Sequence, residues 1–471
     1  MERREFLKGT AWMGAAALAG GCAHGLMKLG GDGSMSNFRV APIKKVRVGI
    51  IGLGDRGSGA VQRLARIPGL ELKALCDLRP EMIEKSQKWL AENKFAKAPL
   101  EFGGKDDSWK GLADADIDLV YICAPAVLHC EMEVYSMFAG KHVLTEVPGA
   151  QTEDQAWEII EACEKNRRHC MMLENCCYGE EELLAWNLVH QGLLGTITHA
   201  EGGYIHNLTW RRMEDSFRNR NSHKTQGTGA GNPYPTHALG PICLYMDMNR
   251  GDRMDYLVSL SSNHATMTEY AREKFAADAW QNQLKMTAGD MNTSIIKTAL
   301  GRTIMMQYDT TTPRPYSRIN FIQGSKGAFG SYPLRMAYAK TPGADACHKW
   351  FDDKQLAEVR EKHMHPLWKQ VGEIAKKVGG HGGMDFVMDL RWAFCLQNGL
   401  PLDMDVYDLA SWSSIVWASE ESDRAGGRPV SLTDFTRGAW RTAKPQPIGN
   451  VDLQKMGFKD IEVKSSAQLN V

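Results

Sequence analysis

VRVGIIGLGDRG, residues 46–57, is the stretch on which the fold turns. Its first half, Val46–Ile51, is an unbroken apolar run, the pattern of a strand buried on both faces of a parallel sheet. Its second half carries Gly52, Gly54 and Gly57 and opens a helical pattern that continues through Ile67. The next apolar stretch, LELKALCD, ends in Asp77, twenty residues beyond Gly57. Strand, glycine triplet, helix, strand and terminal acid in that order form a dinucleotide-binding signature. The glycines permit a tight turn, and with Asp55 and Arg56 they bring backbone close to a pyrophosphate at the helix N-terminus. Asp77 suits both ribose hydroxyls and would repel a 2′-phosphate, so NAD is expected rather than NADP.

Working outward, the strand-helix alternation continues. DLVYICAP (Asp118–Pro125) predicts a buried strand with Ala126, Val127, Leu128 and His129 at its carboxyl end, where ligands bind in such sheets. HVLTEVP places Glu146 and Val147 at the same rim, and CMMLEN delivers Asn175 and then Tyr178. Beyond Leu193 the rhythm changes. DYLVSLSS, NTSIIKTAL and RTIMMQYDT read as strands, and RINFIQGSKGAFGSY as a hairpin turned at Gly324–Gly327. Helical patterns return around 354–377 and 405–421. The expected fold class is α/β: a Rossmann domain over 41–190, an α+β domain with an open, largely antiparallel sheet over 191–442, and an irregular tail over 443–471.

Composition limits the function classes. The 471 residues are 43% hydrophobic and 24% charged, with 56 basic and 56 acidic side chains. A chain without basic excess is a poor candidate for holding phosphodiester backbones, so no nucleic-acid partner is expected. The N-terminus reads differently from the rest. Arg3 and Arg4 open RREFLK, and a short small-residue apolar run follows to Gly20, the layout of a twin-arginine export signal. AGGC, ending at Cys22, resembles a lipoprotein cleavage site, although Ala19 stands where that pattern prefers Leu. The expectation is export to the periplasm, free or lipid-anchored at Cys22, with residues 23–40 as a flexible tether. Cys76, Cys123 and Cys170 fall in apolar stretches, and Cys176 and Cys177 are adjacent without zinc-ligand spacing, so no metal site is expected.

The segment GKHVLTEVP resembles the glucose–fructose oxidoreductase and inositol dehydrogenase superfamily, in which it normally reads EKP and its lysine moves the proton of a dehydrogenation. Here that position is Val147, and a hydrocarbon cannot transfer a proton. EVP, with LENCCYG, GGYIH, YPTHALGP, TTPRPYSR and GHGGMDF in order, resembles glycoside hydrolase family 109, the NAD-dependent α-N-acetylgalactosaminidases. The resemblance runs from about Lys45 to near the C-terminus. It implies a redox-neutral cleavage of a glycan: oxidation at sugar carbon 3, proton loss at carbon 2, elimination at carbon 1, then water addition and reduction. The rival reading is an NAD-dependent sugar oxidoreductase. His237, in YPTH, is the first choice for proton transfer and Tyr178 the second. By resemblance Tyr204, Tyr234, Pro235, Thr236, His237 and Tyr316 meet the substrate together with an arginine, Arg220 or Arg218. Glu146 would hold the nicotinamide ribose or the sugar. The superfamily's open sheets also imply a homodimer.

Overall fold

The structure, a computed structural model, describes residues 33–216 and 230–458. The export motif, Cys22, Arg218 and Arg220 lie outside the described residues. The apolar runs of the first half form one sheet of six strands: β1 (Val46–Ile51), β2 (Leu70–Asp77), β3 (Leu100–Gly103), β4 (Leu119–Ile122), β5 (His142–Thr145) and β6 (Cys170–Met172). Their order is β3-β2-β1-β4-β5-β6, with every pairing parallel. The chain reverses its direction of growth between β1 and β4, which opens a crevice at their carboxyl ends. Gly52–Gly57 and Ala126–His129 both emerge there.

The second sheet has eight strands in the order β13-β12-β11-β7-β10-β9-β8-β14. They are β7 (Ile197–Ile205), β8 (Met254–Ser261), β9 (Asn292–Thr298), β10 (Thr303–Asp309), β11 (Phe321–Gly324), β12 (Gly327–Gly330), β13 (Arg335–Tyr338) and β14 (Val430–Ser431). The pairing is antiparallel except at its centre, where β7 and β10 run parallel, so the sheet is mixed. The β11–β12 hairpin turns between Gly324 and Gly327.

One continuous apolar core spans both sheets. Helix Val406–Arg424 packs on β8 and on helix Glu153–Asn166 of the Rossmann half, which ties the two together. The expected tether needs correction at its end. Met35 and Phe38 are buried, the Met35 amide donates to the Tyr407 hydroxyl at 3.2 Å, and the Arg167 guanidinium covers the Phe38 ring at 4.6 Å. Two large apolar side chains gain more by burial than a free tether would.

Candidate active site

The glycine turn is shaped by contacts that admit no side chain. A Cβ on Gly57 would stand 1.7 Å from the Gly52 carbonyl oxygen, and one on Gly52, at φ +85°, would stand 2.7 Å from the Cys123 carbonyl. Gly54 differs, because a Cβ there would meet nothing within 4 Å. Helix Asp55–Leu64 begins at Gly54 with no side chain capping its first amides. Open space in front of uncapped helical N–H groups is what a pyrophosphate requires. Asp77, at the end of β2, accepts from the Leu53 amide at 2.7 Å and from the Arg79 amide at 2.9 Å. These residues therefore fit a dinucleotide.

Other residues expected around the cofactor divide into two groups. Ala126, Val127 and Leu128 form a 3-10 turn at the end of β4 and remain accessible. The His129 ring is buried instead, bridging the carbonyls of Ala124 and Pro148 at 2.9 Å each, so the ring is not available to a ligand. Val147 is buried at the end of β5. Glu146 accepts from Arg56 Nε at 2.8 Å, and Arg56 also reaches Asp385 at 3.0 Å. The Asn175 amide donates to the other Asp385 oxygen. Asp385 and its neighbour His381 come from the GHGGMDF segment, 210 residues beyond Asn175 in the chain. Burial alone would favour a protonated Asp385, but Arg56, Arg63 and His381 hold its carboxyl well below the usual range.

Tyr178 is corrected. Its ring is fully buried and its hydroxyl donates to Asp403 at 3.0 Å, itself gripped by Arg391. Burial and that carboxylate push the phenol well above its ordinary value. A phenol shut in the core, held protonated and turned to Asp403 is not placed to exchange a proton with a substrate.

His237 stands in a different setting. It lies in the first turn of helix Thr236–Tyr245, with Pro235 at the cap and Thr236 fully buried before it. Its Nδ1 faces Glu174 Oε1 at 2.7 Å, and its Nε2 faces the Tyr234 hydroxyl at 3.3 Å. Tyr204 on β7 brings its ring 4.8 Å from Tyr234 and 5.5 Å from His237. Tyr316, with 42% of its surface exposed, lies 6.5 Å from Tyr204 at the outer edge and accepts from Arg318 at 2.9 Å. Burial pushes the Tyr234 phenol well up, so it keeps its proton. His206, whose ring meets Tyr204 and Tyr316, is lowered to about 4 by burial and nearby positive charge, and stays neutral.

Glu174, His206, Arg318 and Asp385 were not singled out by the sequence. The signal for Glu174 was an acid at the end of an otherwise apolar strand, but it points to a site only once His237 is beside it. Ligand atoms of Glu174, Cys176 and His237 lie within 4.8 Å of one another. The carboxylate and imidazole are paired with each other, and burial keeps the proton on the Cys176 thiol.

Known proteins resemble the chain in the same two halves. Residues 46–174 match the family described as "Oxidoreductase family, NAD-binding Rossmann fold", and residues 178–442 match "Glycosyl hydrolase 109, C-terminal domain". A levoglucosan dehydrogenase solved with NADH and levoglucosan superposes with a TM-score of 0.63 at 17% identity, covering 83% of this chain and 100% of that one. An oxidoreductase domain protein from Kribbella flavida gives 0.64 at 18%, with the same coverage. These two share the fold. A "Glycosyl hydrolase family 109 protein" from Shewanella pealeana is 44% identical over 456 residues, 95% of this chain and 99% of that one. An "Alpha-N-acetylgalactosaminidase" from Shewanella oneidensis is 45% identical over 412 residues, 87% and 89% of the two chains. With a glycine turn that fits NAD, a histidine–carboxylate pair beside two tyrosines, and relatives matched along nearly its whole length, the chain belongs to glycosyl hydrolase family 109.

Proposed function

We propose that the chain hydrolyses terminal α-linked N-acetylgalactosamine from glycans, with tightly bound NAD and no net redox change. The observation that carries this reading is the pairing of His237 with Glu174 at 2.7 Å beside Tyr204 and Tyr234, while the strand end that would carry a dehydrogenase lysine holds Val147. When bound, NAD supplies a reversible two-electron oxidation at carbon 3 of the sugar, which acidifies the hydrogen on carbon 2. His237 Nε2 accepts a proton from the sugar, and Glu174 stabilises the resulting imidazolium. Tyr234 keeps its phenolic proton and donates a hydrogen bond to a sugar oxygen. Tyr204 and Tyr316 offer ring faces and edges to the apolar side of the sugar.

The test is incubation of purified protein with an aryl α-N-acetylgalactosaminide and no added NAD. Release of the aryl group without steady NADH accumulation is expected. Net NADH with intact glycoside would establish the sugar oxidoreductase instead. Two further readings rest on the sequence and on one surface. The twin-arginine motif supports export to the periplasm, checked by fractionating cells with and without the twin-arginine translocase. Tyr256, Leu260 and Ile295 leave an apolar face exposed on β8 and β9, which supports a homodimer, checked by analytical ultracentrifugation.

A further inference from the structure

We infer that Glu174 is a positioning residue for the reaction, fixing the tautomer and aim of His237 through its Nδ1. Three independent features support this. Glu174 is fully buried, on the connection after β6, and one of its oxygens accepts from both the His237 ring and the Cys176 amide, at 2.7 and 3.1 Å. A carboxylate accepts only, so Nδ1 carries the hydrogen, and in the neutral ring Nε2 presents a lone pair toward Tyr234.

The carboxylate is also kept ionised in a place where burial would neutralise it. Burial raises its proton affinity, but the His237 ring and the Cys176 amide more than offset that and hold it below its ordinary value. The groups facing the pair are Cys176, Cys177, Thr236, Tyr204, Tyr234 and His206. Cys176 and Cys177 keep their protons because burial raises both thiols, so none of these adds a second negative charge.

The third feature is the room made for the side chain. Gly240 sits inside helix Thr236–Tyr245, where glycine costs about 1 kcal/mol relative to alanine. A Cβ at Gly240 would stand 2.7 Å from Glu174 Cγ, 3.0 Å from the Trp412 ring and 3.1 Å from Cys177 Sγ. The helix bearing His237 gives up helical propensity at the point that lets the carboxylate pass beneath it.

The inference rests on the proposed proton-transfer role of His237, so one readout is independent of substrate. In holoprotein labelled with nitrogen-15 at histidine, His237 is assigned by the signal missing from His237→Asn. Wild type should show its Nδ1–H tautomer, and Glu174→Gln should shift that signal toward a mixture. In turnover, Glu174→Gln should lower kcat by ~10²-fold with KM little changed and bound NAD retained. In the His237→Ala background the same change should cost less than about threefold, because its route is already gone. Gly240→Ala, which alters no titratable group, should also lower kcat by displacing the carboxylate. A full independent penalty for Glu174→Gln in the His237→Ala protein would overturn the inference. So would an unchanged His237 spectrum in Glu174→Gln, or wild-type kcat with that variant folded and loaded with NAD. Failure of the glycoside assay in wild type with the tautomer shift intact would overturn the substrate reading alone.

Discussion

At the residue scale the site sets one imidazole, paired with a buried carboxylate, among phenols. Burial raises the Tyr234 phenol and keeps it protonated, and His206 is held neutral, so the proposed proton transfer falls to His237, the imidazole paired with Glu174. His237→Ala should therefore lose at least ~10²-fold in kcat while retaining NAD, measured as nucleotide released on denaturation. Near-normal turnover would remove His237 from the chemistry. Asp77 governs the other end of the cofactor. Its carboxylate takes the Leu53 and Arg79 amides and lies 3.4 Å from Arg79 Nε, so the arginine's charge is opposed where a 2′-phosphate would sit. Asp77→Ala should weaken NAD by ~10- to ~10²-fold, the scale of hydrogen bonds to a charged group, and narrow or reverse the preference over NADP. Titrating nucleotide-free protein with both cofactors decides it. An unchanged preference would mean that Asp77 serves only the turn.

At the scale of single elements, helix His129–Phe138 carries a burden that its sequence conceals. Glu133 is fully buried, with no hydrogen-bond partner for either oxygen among the described residues, and burial pushes its carboxyl up to about 8 despite Thr145 nearby. The ordinary value is about 4.3, so between these limits the folded state holds a proton that the unfolded state has lost. Stability therefore falls as pH rises from ~4.3 to about 8 and levels off above, with a total cost on the order of several kcal/mol. Glu133→Gln keeps the shape and abolishes the titration. Urea midpoints should be nearly equal at pH 5 and higher for the variant at pH 8, and an equal difference at both would refute the assignment. What the sequence made legible follows the same logic of burial. The parallel strands were readable because they are continuous apolar runs bounded by turn residues. Helix Met384–Asn398 was not, because Met384–Leu396 are all buried and leave no polar face to set a period. Motif position brought Tyr178 to the neighbourhood of the site but could not tell which way its ring turns, and the hydroxyl turns inward to Asp403. Glu174 and Asp385 were hidden because their partners come from segments distant in the chain.

Across the whole molecule, the helix that the sequence concealed adds a second fastening between the two halves, beside that of helix Val406–Arg424. Arg63, buried on the helix that follows the glycine turn, donates to Asp389 at 2.7 Å and lies 3.5 Å from Asp385, both on helix Met384–Asn398. Tyr121 on β4 and Trp392 donate to the second Asp389 oxygen at 3.1 and 3.0 Å. The cofactor-binding helix is thus held by charges supplied from the other half of the chain, one turn of helix away from the Asp385 that grips Arg56. A buried pair of this kind adds little net stability beyond what a well-packed apolar pair would give, because desolvation offsets the attraction. Removing one partner is another matter, since the survivor remains charged and buried. Asp389→Leu should cost ~3–5 kcal/mol, whereas Arg63→Met combined with Asp389→Leu should recover much of that loss, short of wild type because Tyr121 and Trp392 lose their acceptor. Urea unfolding of wild type, Arg63→Met, Asp389→Leu and the double variant measures the coupling, and retention of NAD through dialysis reports whether the glycine turn has shifted. If the double variant is as unstable as the sum of its single changes, the two groups do not act as a pair and the joint between the halves lies elsewhere.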